Sequence, residues 1–155
     1  MPTFNSERTL LACLRSVCNQ SYPFREIIII NNFSHDNTLK IAKQFGAKII
    51  QMKCNPALAR NLGVTNSHGE FVLFLDSDQI LSKGVIDECV HLCASENADM
   101  VWIPEVFMGK ISGVLALPSG RIPMEEWSKN TEQLGTFWQV NTFLRQRTDS
   151  PSRHV

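Results

Sequence analysis

Two short runs, IIII at positions 27–30 and FVLFL at 71–75, contain no polar residue. A strand with one wet face alternates polar and apolar residues. Unbroken β-branched or aromatic runs of this length instead suit strands covered on both faces, as in a parallel sheet between helices. The surrounding segments agree. Leu10, Leu11, Leu14 and Val17 have helical spacing over 6–19, with Asn5 or Ser6 as N-cap, and Tyr22-Pro23 ends that helix. A second helix is predicted over 36–45, closed by Gly46, and a short strand over 47–52. A third helix is expected over 56–67 with Leu58, Leu62 and Val64 inward. A fourth follows over 85–94, then a strand over 100–103. The order β–α–β–α–β–α–β predicts an α/β fold with a mainly parallel sheet and helices on both faces.

The second apolar run ends in two acids, Asp76 and Asp78, separated by one serine. In open α/β sheets, ligands bind outside the carboxyl ends of the strands. A rigid apolar strand therefore delivers two carboxylates to the ligand crevice. Two acids at that spacing suit a hard divalent ion, Mg²⁺ or Mn²⁺, of the kind that also holds phosphate oxygens. The alternative is a turn that caps a helix starting near Lys83.

The 155 residues fit one domain with a real core. Fifteen basic and fifteen acidic side chains cancel, so no global field attracts nucleic acid or anionic lipid. No apolar run is long enough to span a membrane. The N-terminal MPTFNSERTLL lacks the basic and apolar regions of a secretory signal. The cysteines at 13, 18, 54, 89 and 93 show no paired CxxC, which implies a reducing, cytoplasmic setting. Cys89 and Cys93, one helical turn apart, read as core residues. His35 and His68 read as surface loop histidines.

The ordered motifs PTFN, INNFSHDNT, ARNLG and DSD resemble the nucleotide-sugar-binding half of a family 2, GT-A type glycosyltransferase over about residues 1–104. The resemblance implies a Rossmann-like nucleotide-binding unit that holds a nucleotide-diphospho-sugar with Mn²⁺ or Mg²⁺ and passes the sugar to a saccharide or lipid-linked acceptor. It places Pro2, Thr3, Phe4 and Asn5 against the nucleoside. Asn31 stands where the family carries a base-recognising acid, and Arg60 in ARN is expected to reach the nucleotide. Asp78 becomes the metal ligand, and Asp76 contacts ribose or metal. A UDP-sugar is favoured over a GDP-sugar by resemblance alone. The setting expected is cytoplasmic, with peripheral attachment to the membrane's cytoplasmic face left open.

Plainer roles exist for two of these residues: a strand-end turn for Asn31 and a solvated helix position for Arg60. The family's first strand has no full counterpart ahead of Pro2-Thr3, so that strand is expected to be largely missing. No acceptor region or general base is recognisable in 105–155, a poorly assigned segment expected to be partly disordered, where Glu125-Glu126 is the acidic pair. The chain therefore reads as part of such an enzyme or as a binding remnant, of low stability and unable to transfer sugar alone. A rival reading takes DSDQIL as the nucleophile motif of a haloacid-dehalogenase-type phosphatase, with Asp76 as nucleophile and Asp78 as acid/base. It leaves PTFN and ARNLG without a role.

Overall fold

The computed structural model describes residues 1–23, 26–103 and 141–146. All belong to one of two compact units, Met1–Ile103 with Asn141–Val155. The other unit, Pro104–Val140, lies outside the described residues, as do Glu125-Glu126, Trp127 and Trp138.

The elements follow in chain order: β1 (Pro2–Thr3), α1 (Glu7–Cys18), β2 (Ile28–Asn31), α2 (Thr38–Gln44), β3 (Lys48–Gln51), α3 (Pro56–Thr65), β4 (Phe71–Phe74), α4 (Val85–Ser95), β5 (Met100–Ile103) and β6 (Asn141–Arg145). The alternation through β5 is the expected one, giving an α/β fold. β1, β2 and β3 form a parallel sheet in that order, with Pro2 opposite Ile30 and Ile29 opposite Ile49. β4 and β5 do not pair with each other. β6 lies between them, antiparallel to both, with Phe143 opposite Leu73 and Val101.

Local chemistry accounts for the element ends. Gly46, at φ 67°, closes α2 in the left-handed region that glycine adopts without penalty. The Asn55 side chain accepts the Leu58 N–H at 2.8 Å and caps α3, with Pro56 at the first helical position. Asp36 joins the starts of two helices. One carboxylate oxygen accepts the Thr38 N–H at the start of α2, and the other accepts the Glu7 N–H at the start of α1. Ser6 occupies the N-cap position of α1 without a capping bond from its side chain; its own N–H donates to Thr38 Oγ1 at 2.7 Å.

Helix α1 divides its buried side chains between the two sheets. Leu10 and Leu14 pack with Ile29 and Ala42, whereas Cys13 and Val17 join Leu75, Ile86, Cys93 and Phe143. Leu10 and Leu14 are wholly buried, and each contributes about 1.5–3 kcal/mol of burial. Cys13, Cys89 and Cys93 are buried free thiols. Burial pushes Cys13 up to about 12 and Cys89 up to about 11, so both act as small apolar fillers. Leu58, expected to face inward, is 44% exposed; Ala59 is the buried residue of α3.

β4 departs from the expectation of burial on both faces, since all four of its residues are only half-buried. Among the described residues its one sheet neighbour is β6, and that of β1 is β2. A cavity of about 570 Å³ opens beside them, lined by Met1, Ile27, Ile28, Val72, Leu73 and Phe74 among others. The Met1 ammonium donates to the Ile28 carbonyl at 3.0 Å, in the manner of a further rung of the ladder.

Candidate functional site

The candidate residues gather at the carboxyl ends of β1, β2 and β4. The first two ends are tied by a polar knot beneath the surface. Thr3 and Asn31 are buried, Asn31 completely. The amide orientation that satisfies every neighbour has Asn31 Nδ2 donating to Thr3 Oγ1 at 3.1 Å and to Ser34 Oγ at 2.6 Å. Its Oδ1 then accepts the N–H groups of Phe33 and Ser34 at 3.2 and 3.0 Å. Above the knot, the Asn5 N–H donates to Ser34 Oγ and Asn5 Oδ1 accepts the His35 N–H, both at 2.9 Å. Asn31 therefore shapes the loop after β2 with its whole hydrogen-bonding capacity. It reaches a ligand only by exchanging one of these bonds. Phe4 and Asn5 are exposed, Phe4 at 58%.

The end of β4 is built differently. Asp76 is one-fifth exposed, and Arg60 from α3 donates through Nη2 to both of its carboxylate oxygens, at 2.9 and 3.1 Å. Arg60 is thus committed to the protein's own acid, a pairing that no spacing in the sequence indicates. The Asp76 N–H donates to Gln79 Oε1 at 2.8 Å, and the Gln79 N–H returns to the Asp76 carbonyl at 3.2 Å, which folds 76–79 into a turn. Ser77 Oγ lies 2.9 Å from Ser6 Oγ and links this turn to the start of α1. Asp78 is exposed, and its carboxylate has no hydrogen bond or ion pair among the described residues.

The two carboxylates differ in availability. Asp76 is neutralised and oriented by Arg60, which leaves Asp78 as the free anionic donor. Among the described residues, no group of three or more His, Cys, Asp or Glu side chains is placed to hold a metal ion. Two strand-end carboxylates fit a hard cation that takes its remaining ligands from water and phosphate, as Mg²⁺ and Mn²⁺ do. They do not form an all-protein cage. Ser6, Ser34, Asp36 and Gln79 support the site and were not singled out as binding residues by sequence reasoning; Ser34 and Asp36 fall in the INNFSHDNT stretch, whereas Ser6 and Gln79 have no signal beyond proximity. His35 and His68 are exposed.

These features define a class: an α/β unit with a polar crevice at the ends of its parallel strands and a free acid beyond the end of β4. The profile of Glycosyl transferase family 2 matches residues 1–151. The chain belongs to that family. It is 30% identical over 112 residues to the poly(ribitol-phosphate) β-N-acetylglucosaminyltransferase TarS of Staphylococcus aureus, covering 66% of this chain and 20% of that protein. Over 126 residues it is 31% identical to the minor teichoic acid biosynthesis protein GgaA of Bacillus subtilis, covering 73% of this chain and 28% of GgaA. The crystal structure of S. aureus TarS 1–349 in complex with UDP superposes with a TM-score of 0.62 at 28% identity. That match covers 77% of this chain and 36% of the TarS chain. The chain thus spans between about a fifth and a third of the length of TarS, GgaA and the related S. aureus TarP. The family match also displaces the phosphatase reading, in which Asp76 would be a free nucleophile rather than the partner of Arg60.

Proposed function

We propose that this chain is the donor-binding part of a family 2 glycosyltransferase, holding a UDP-sugar whose sugar passes to a saccharide or lipid-linked acceptor. The observation that carries the reading is the convergence at the strand ends. The Thr3–Asn31–Ser34 knot shapes one side of the crevice, and the Arg60-braced Asp76 with free Asp78 stands at the other. TarS 1–349 has been crystallised with UDP and with UDP-GlcNAc, which supports a uridine donor here.

The chemistry follows from charge. A nucleoside diphosphate is strongly anionic, and Asp78 on its own would repel it. With Arg60 cancelling Asp76, Asp78 is the uncancelled acid of the pair, and the two carboxylates would hold a divalent ion that also takes phosphate oxygens. Such an ion, when bound, neutralises the charge that develops on the diphosphate leaving group. Arg60 fixes the Asp76 carboxylate, the 76–79 turn aims Asp78 outward, and the loop after β2 positions the nucleoside.

A second reading, binding without transfer, is favoured by the state of the other acids. Among the described residues at the strand ends, the carboxylates of Glu7, Asp36 and Asp76 are all bonded within the protein. None is free to act as general base. No described helix is long and apolar enough to cross a membrane.

The test is calorimetry of UDP with Mn²⁺, with Mg²⁺ and with chelator. The expected outcome is binding at least about tenfold tighter with metal, and Asp78→Ala reduces the protein to its metal-free affinity. Equal affinity in all conditions and in the variant would defeat the metal reading. Measuring turnover of a UDP-sugar by the same sample separates transfer from binding alone.

A further inference from the structure

Among the described non-glycine residues, Asn5, Phe33 and Asn97 have positive φ, at 47°, 51° and 48°. Asparagine enters the left-handed region readily, whereas a phenylalanine there is an outlier. The Phe33 ring is left about half in solvent, at 49% exposure. A strained backbone presenting an exposed apolar ring is costly on two counts, and such outliers persist where the surrounding structure over-determines them. Here it does. The Asn31 side chain accepts the N–H groups of both Phe33 and Ser34, and Ser34 Oγ accepts the Asn5 N–H.

Phe4, the other exposed aromatic at these strand ends, directly precedes Asn5. The Asn5–Ser34 and His35–Asn5 bonds lock the two ring-bearing loops side by side. We propose that Phe33 is a ligand-binding residue of this crevice, offering together with Phe4 an aromatic wall on which the planar base of a nucleoside diphosphate stacks. This rests on the nucleotide reading above and deepens it. Every base has a π face, so the wall supplies affinity with little discrimination between bases. Discrimination falls to polar groups around it.

The proposal makes stability and binding move in opposite directions. Phe33→Gly places at φ 51° the residue that accepts it, while removing the ring. Phe33→Asn does the same with a side chain that tolerates the conformation, and Phe33→Tyr keeps the ring. The probes are UDP, GDP and inorganic pyrophosphate, each with Mn²⁺. Both ringless variants are expected to unfold at or above the wild-type temperature. They should weaken UDP and GDP by about 5- to 20-fold and leave pyrophosphate unchanged, while Phe33→Tyr retains UDP affinity. Undiminished UDP affinity in both ringless variants overturns the proposal alone. So does an equal loss for pyrophosphate, which would mean that Phe33 shapes the loop without touching a base. Ringless variants that bind UDP normally but lose adsorption to neutral lipid vesicles would assign the exposed rings to an apolar surface instead. A wild-type chain that binds neither UDP nor GDP removes the nucleotide reading and this inference with it.

Discussion

β2 and β4 are both four residues long and almost wholly apolar, yet they end in different environments. β2 lies between two parallel neighbours and buries Ile29 and Ile30 to within 1%. Among the described residues β4 pairs only with β6, and its four residues stay half-buried beside the cavity. An apolar run states what a strand can tolerate; its neighbours decide what it buries. The parallel sheet carries the knot that shapes the crevice, and the antiparallel sheet delivers the acids. Helix α1 packs against both.

The largest expected effect tests whether the two sheets are equally secure. Phe143 is 3% exposed and stacks on Phe71 with ring centroids 5.1 Å apart, while Arg145 lies over the same Phe71 ring and pairs with Glu70. Phe143→Ala is expected to cost about 3–5 kcal/mol. Leu14→Ala in the other cluster costs about 2–5 kcal/mol. The sharper readout is hydrogen exchange. In Phe143→Ala the amides of 71–74 should exchange first while those of 28–31 stay protected, because among the described residues β4 has no second neighbour to hold it. Uniform exchange across both sheets would show one cooperative unit and dissolve the comparison.

The same contrast separates what was legible in the sequence from what was not. The IIII run, the Gly46 closure, the Pro56 start and the Cys89–Cys93 pair follow local rules, and each stands where those rules put it. β6 was not legible. TFLR has no alternation and lies far from any strand-like context; it becomes a strand because β4 and β5 offer unpaired edges on either side. The candidate site divides in the same way. Asp76 and Asp78 at a strand end could be read from pattern and resemblance. The Arg60–Asp76 pair and the full burial of Asn31 are products of tertiary approach, which spacing along the chain does not encode.

A second prediction concerns the cavity between β1 and β4. An apolar extension of about five residues ahead of Met1 would continue the Met1–Ile28 ladder into it. Four buried aliphatic side chains give roughly 6–12 kcal/mol. Ordering five residues costs about 7.5 kcal/mol at ~1.5 per residue, so the net gain is about 1.5 kcal/mol at the middle of the range. Denaturant unfolding should report that gain for an apolar extension and none for a polar, proline-containing one. Equal midpoints for both extensions would mean that the cavity does not accept a strand.

The smallest effect sharpens the comparison without adding any side chain. The Met1 ammonium sits against the same cavity, and burial lowers it from 8.0 to about 6, partly opposed by the nearby Asp76 carboxylate. Between these values the unfolded chain holds a proton that the folded chain has released. Stability of the 155-residue chain with a free amine therefore rises with pH from about 6 to 8, and the full penalty remains below pH 6. A displacement of two units corresponds to about 2–3 kcal/mol at most. Glu26, held below its usual range chiefly by the His68 backbone N–H, titrates well under this window and does not contribute to it. The control is chemical. Acetylating the Met1 amine removes the titrating group and leaves every side chain in place. Unfolding midpoints measured at pH 6, 7 and 8 should climb in the free chain and climb distinctly less in the acetylated one. Parallel slopes would show that the amine stays solvated, which would mean that the edge beside β4 is already open to water and that the cavity is a cleft rather than a packing defect.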